Sequence, residues 1–81
     1  MRVDKFLKNS RIIKRRTVAK EAADGGRIKL NGKVAKAGDE VRVGDIMEIA
    51  LGSRVTTIRI QDIRDNVGKQ EAQDLYEIIN S

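Results

Sequence analysis

The chain has 81 residues, with 17 Lys and Arg against 12 Asp and Glu and a formal net charge of +5, which describes one small basic domain with a limited core. It contains no Cys and no His, so disulfide frameworks, zinc sites of the Cys or His type, thiol nucleophiles and imidazole bases are excluded. No apolar run approaches the ~18 residues of a membrane span, and no apolar stretch follows the basic N-terminus as a secretory signal requires; the cytosol is the expected compartment, with no membrane partner.

The charge is concentrated at one end. Arg2, Lys5, Lys8, Arg11, Lys14, Arg15, Arg16 and Lys20 share the first quarter of the chain with a single acid, Asp4, whereas the remainder is slightly acidic. Such a distribution attracts a polyanion to one face. Val3, Phe6, Leu7, Ile12 and Ile13 fall at helical spacing, predicting a first helix interrupted or ended at Asn9-Ser10. Asp4 is expected to pair with Lys8 one turn later. Thr17 is predicted to cap a second helix whose Val18, Ala19, Ala22 and Ala23 form its buried side, and Gly25-Gly26 to stop it. Lys14-Arg15-Arg16 then lies at the positive dipole end of that helix, which disfavours the free protein and favours an anion there.

Beyond the glycines the apolar period becomes two. Ile28, Leu30 and Val34 around Asn31-Gly32 predict a hairpin. Val41 and Val43 lead to a turn at Gly44-Asp45, and the segment from Ile46 to Leu51 reads as a mostly buried strand. Gly52-Ser53 reverses the chain into a strand from Arg54 to Ile60, whose broken alternation predicts a bulge. A polar connection leads to a predicted helix from Gln70 to Asn80, with Ala72, Leu75, Ile78 and Ile79 on its apolar side and Glu71, Asp74 and Glu77 arguing against polyanion contact. The expected fold class is α+β, with two N-terminal helices packed on a small antiparallel sheet and a short C-terminal helix.

No spacing of carboxylates, Lys, Tyr76, Ser or Thr picks out an acid, base or nucleophile, so no enzyme, metal or cofactor is expected. Nucleic-acid binding is left. Phe6 and Tyr76 are the chain's aromatic residues, and both read as packing residues, so base stacking is not expected to dominate. Arg and Lys contacts to phosphates recognise shape more than sequence. A folded RNA suits a fixed constellation of cations, although the residues alone leave DNA open.

The ordered elements Arg2-Val3-Asp4-Lys5-Phe6-Leu7, Arg11 with Lys14-Arg15-Arg16, Ala19, Gly26 with Ile28, Asn31-Gly32, Lys36 and Gly44-Asp45 fall between Met1 and Ile49. In that order and at those separations they resemble the RNA-binding domain of the ribosomal protein S-four type, also called the alpha-L motif. Within that superfamily the short chain, its Lys-Arg-Arg run and its acidic tail are similar to the RqcP (YabO) group of bacterial ribosome-associated quality-control proteins. The related ribosome-associated heat-shock protein carries a longer basic tail.

The resemblance implies binding to an obstructed large ribosomal subunit, at large-subunit ribosomal RNA and peptidyl-tRNA, in support of RqcH, which adds a C-terminal alanine tail to the stalled chain. The chain is then expected to be ribosome-associated and a monomer. A general structured-RNA binder, or a heat-shock type that recycles large subunits, is the alternative. Residues 1–60 are the expected RNA-binding domain and 61–81 a C-terminal connection and short helix. The implied contact surface comprises Arg2, Lys5, Lys8, Arg11, Lys14, Arg15, Arg16 and Lys20, followed by Asn31, Lys33 and Lys36. Arg15 and Arg16 are the expected anchors, and Arg16→Ala is expected to weaken binding with little loss of stability. Val3, Phe6 and Ala37 stand where many members have Leu, Trp and Pro; the third departure is expected to loosen the loop after Lys36.

Overall fold

A computed structural model describes residues 1–80. Helix α1 spans Val3–Asn9 and α2 Arg16–Asp24; strands β1 (Ile28–Leu30), β2 (Lys33–Val34), β3 (Ile46–Leu51), β4 (Arg54–Ile60) and β5 (Tyr76–Asn80) follow. The five strands form one antiparallel sheet in the order β2-β1-β3-β4-β5. The α+β class and the helix pair on an antiparallel sheet are as expected from sequence.

Seven residues are too few for an isolated helix in water, so α1 depends on its packing. Val3, Phe6 and Leu7 are fully buried at the i, i+3, i+4 spacing. Ala19, Ala22 and Ala23 give α2 a thin buried side against the same core. Met47, Ile49, Ile58 and Ile60 supply the sheet's contribution. Val18, expected inside, is 45% exposed. Thr17 lies within α2, not at its cap: Arg15 is the N-cap, extended and without a side-chain hydrogen bond. Gly25-Gly26 does end α2, Gly26 taking φ +82°.

The N-terminal end of α1 is held by a distant loop. Val3 N–H donates to the Asp39 carbonyl at 2.8 Å and Asp4 N–H to the Ala37 carbonyl at 3.3 Å, which satisfies donors that a helix start leaves free. That loop is itself tied down: Lys36 N–H donates to Asp39 Oδ2 at 2.8 Å, and Ala37 N–H donates to Asp24 Oδ1 at 3.1 Å. A proline at position 37 could not make the second bond. The expected loosening is therefore countered by a backbone hydrogen bond that a proline would forfeit.

The hairpin is as expected. Asn31 and Gly32 take φ 51° and 85°, the positive pair that a two-residue turn of this hand requires. Strands β3 and β4 occupy the predicted residues and pair without interruption. The irregularity expected in β4 falls in its other pairing: Thr57 faces Asn80 while Ile58 faces Ile78, so the extra residue, Ile79, belongs to β5.

The predicted C-terminal helix is corrected. Glu71–Leu75 is a short 3-10 helix and the chain then becomes β5. An eleven-residue helix is marginal by itself, Ile78-Ile79 is β-branched, and β4 presents an open edge of backbone donors and acceptors. Ala72 and Leu75 reach the core as expected, whereas Ile78 and Ile79 are 56% and 45% exposed.

Candidate nucleic-acid interface

The turn between α1 and α2 gathers the basic residues. After Ser10, Arg11 adopts φ 61°, with its N–H donating to the Lys8 carbonyl at 3.0 Å and Ile13 N–H to the Leu7 carbonyl at 3.1 Å. This position after a helix usually holds glycine, and a left-handed conformation costs an L-residue roughly 1–2 kcal/mol. The bend sends Lys14 and Arg16 back across α1. Lys5, Lys8, Arg11, Lys14 and Arg16 consequently line one open groove of about 510 Å³.

Asp4 organises one wall. It is 3% exposed; Arg16 donates from Nε to Oδ2 at 3.2 Å and from Nη2 to Oδ1 at 3.4 Å, and Arg2 Nε lies 3.5 Å from Oδ1. The expected Asp4–Lys8 pair is not formed, because packing of α2 on α1 brings Arg16 to the carboxylate instead. Both arginine side chains remain about half exposed, at 51% and 47%, so each can offer remaining N–H groups to a phosphate while Asp4 fixes its position. Arg16 thus also partners a buried carboxylate, so Arg16→Ala is expected to cost some stability as well as binding.

The opposite wall comes from the segment between β4 and the 3-10 helix. Asp65, Asn66 and Val67 line the same groove. Asn9, 8% exposed, fastens this segment by donating from Nδ2 to the Arg64 and Asp65 carbonyls at 3.0 and 3.1 Å. Lys5 Nζ meets Asp65 Oδ1 at 3.0 Å, with the acid 80% exposed. A pair so exposed is worth at most about 1 kcal/mol, so a polyanion can readily displace the carboxylate. Sequence reasoning read Asn9 only as a helix interruption and residues 61–68 only as a connection; a buried amide joining residues 55 and 56 positions apart has no local signature.

The other candidates separate. Arg15, at the N-cap of α2, and Lys20, on α2, are exposed but outside this groove, and Lys33 is exposed on β2. Asn31 has its side chain engaged: Nδ2 donates to Asp45 Oδ1 at 3.1 Å and Oδ1 accepts from Ile46 N–H at 3.0 Å. Lys36 Nζ donates to the Asp24 carbonyl at 3.3 Å, where a cation suits the negative end of α2. Among the described residues, the hairpin and the loop after it therefore present Lys33 without a side-chain bond, Lys36 with one of its three donors used, and Asn31 with its side chain engaged in holding the turn. Phe6 is fully buried, as expected of a packing residue. Tyr76 packs partly against the core and also lines a second groove.

The model of the S4 domain matches residues 1–47, the part that supplies the cationic wall. The chain belongs to the S4-domain family. Across nearly the whole chain it is similar to the RQC P-site tRNA stabilizing factor of Streptococcus pneumoniae, 50% identical over 99% of this chain and 91% of that protein. The factor of the same name from Bacillus subtilis is 48% identical over 98% and 92% of the two chains. Among solved structures, trimeric heat shock protein 15 of Vibrio cholerae superposes with a TM-score of 0.89 at 35% identity, covering 96% of this chain and 80% of that one. The similarity thus extends past the S4 domain into the segment that forms the second wall.

Proposed function

We propose that this S4-domain chain is an rRNA- and tRNA-binding factor of bacterial ribosome-associated quality control. It binds obstructed large subunits that carry peptidyl-tRNA and supports RqcH-dependent alanine tailing of the stalled chain. It acts as a ribosome-associated cytoplasmic monomer, by binding and not by catalysis. The observation that carries the reading is the groove of five cations, built on both sides by segments shared with the RQC P-site tRNA stabilizing factors. Lys5, Lys8, Arg11, Lys14 and Arg16 hold phosphates there, with Arg2, Arg15, Lys20 and Lys33 as outlying contacts. Asn31 and Lys36 preserve the hairpin and the loop that supports α1.

Likeness to heat shock protein 15 favours a second reading, a structured-RNA binder that recycles large subunits. One pull-down from a bacterial cytosolic extract separates the two. Large-subunit rRNA recovered with tRNA and RqcH supports quality control; large-subunit rRNA without them supports recycling; unselected RNA or DNA overturns both. If about five phosphates are engaged, the log-log salt dependence of affinity should have a slope near −3.5 to −4.5.

A further inference from the structure

A second groove, again about 510 Å³, adjoins the first and shares Arg11 and Lys14 with it. Its other boundary is C-terminal: Lys69, Gln73 and Tyr76, with Ala72 between them. Among the described residues no acid pairs with Arg11, Lys14 or Lys69, and no acid lines this groove, in contrast to Asp65 in the first. Three uncompensated cations beside a half-buried aromatic ring are chemically distinct from a purely phosphate-binding surface.

Resting on the RNA-binding reading above, we propose that this groove takes one unstacked nucleotide of a bound RNA, its base against Tyr76 and its phosphate on Arg11, Lys14 and Lys69. A base has a flat π-face that an aromatic side chain accepts with little sequence preference. Tyr76 suits that role because β5 pairing opposite Ile60 and contact with the core hold it in place, so little freedom is lost on stacking. Gln73 supplies an amide donor and acceptor at the same rim, suited to the edge of a base. The shared Arg11 and Lys14 make the two grooves continuous, so a strand leaving a duplex in the first can place its next nucleotide in the second. The strain at Arg11 lies where the two meet.

Tyr76 is the only tyrosine and there is no Trp, so its ring resonances are identified without ambiguity. The full chain is titrated with a five-nucleotide oligouridylate, with an abasic oligomer carrying the same phosphates, and with an oligoglutamate of equal charge. The expected result is an upfield movement of the Tyr76 ring protons with oligouridylate only. Tyr76→Leu, which keeps an apolar side chain against the core, should weaken oligouridylate binding about 5- to 100-fold and leave abasic binding unchanged. Equal response to the abasic oligomer or to oligoglutamate, no response to any probe, or unchanged oligouridylate affinity in a folded Tyr76→Leu chain would overturn the proposal. Binding of a structured RNA hairpin that still depends on Lys5 and Lys8 would show the first groove intact, so failure here is distinguishable from failure of the RNA-binding reading itself.

Discussion

The turn between α1 and α2 and the β1–β2 hairpin both carry polar residues of the kind that bind RNA, yet the fold uses them oppositely. At the first, Lys8, Arg11 and Lys14 form no ion pair with the described residues and face a shared groove. At the second, Asn31 is exposed but engaged by Asp45 and Ile46, and in the loop just after it Lys36 gives one donor to the Asp24 carbonyl. Exposure is therefore a poor guide to availability; what matters is whether donors remain after the fold's own bonds are made, as on Arg2 and Arg16, or the side chain is spent on holding a turn, as on Asn31.

The largest expected effect tests the open side of that comparison. Simultaneous Lys8→Ala, Arg11→Ala and Lys14→Ala should reduce structured-RNA affinity about 100-fold or more at physiological salt and flatten the salt slope by about 3, near one per cation. Thermal unfolding should move little, since these surface cations have no partner to lose. An unchanged slope in equilibrium binding would remove the groove from the interface.

The closed side predicts the reverse. Asn31→Ala forfeits two side-chain hydrogen bonds and a residue tolerant of positive φ, so denaturant unfolding should show a loss of about 1–2 kcal/mol with RNA affinity preserved. Weakened binding in a chain of unaltered stability would return Asn31 to the contact surface.

Arg11→Gly sharpens the contrast within one residue. Relief of the left-handed backbone should hold stability level or raise it by up to about 1 kcal/mol, offset in part by the greater freedom of unfolded glycine. RNA affinity should fall roughly 3- to 10-fold through the lost cation. Joint measurement of melting and binding checks both directions; a stability loss would show that the arginine side chain has a structural partner.

The smallest effect concerns Asp62, whose carboxyl is held below the ordinary carboxylate range first by the hydrogen bond from Arg64 and then by the Ile63 N–H. A group depressed in the folded state stabilises above its unfolded pKa, and that contribution disappears as pH falls through its folded value. Asp62→Asn should therefore narrow the difference between neutral and acid stability slightly and leave RNA binding at neutral pH unchanged, as acid titration followed by circular dichroism would show.

Most of the regular structure could be read along the chain. The boundaries of β3 and β4, the turn at Asn31-Gly32 and the stop at Gly25-Gly26 follow from alternation and from residues that tolerate positive φ, both local properties. The cationic wall was legible for the same reason, since its members are close in sequence. Thr17 and Val18 misled because capping and burial of α2 depend on how it docks on α1. The stretch from Gln70 to Asn80 misled because its apolar spacing satisfies a helix while the open edge of β4 offers a strand.

The sequence by itself determined a small α+β domain with its positive charge on the N-terminal quarter, because side-chain periodicity and net charge are written residue by residue. Only the tertiary structure decided which cations are free and what closes the site. Asp4 meets Arg16 across the helix pair, Asn9 fastens the Asp65 segment, and Tyr76 arrives beside Arg11 through β5. Each of these depends on packing that joins distant parts of the chain, and no local spacing encodes it.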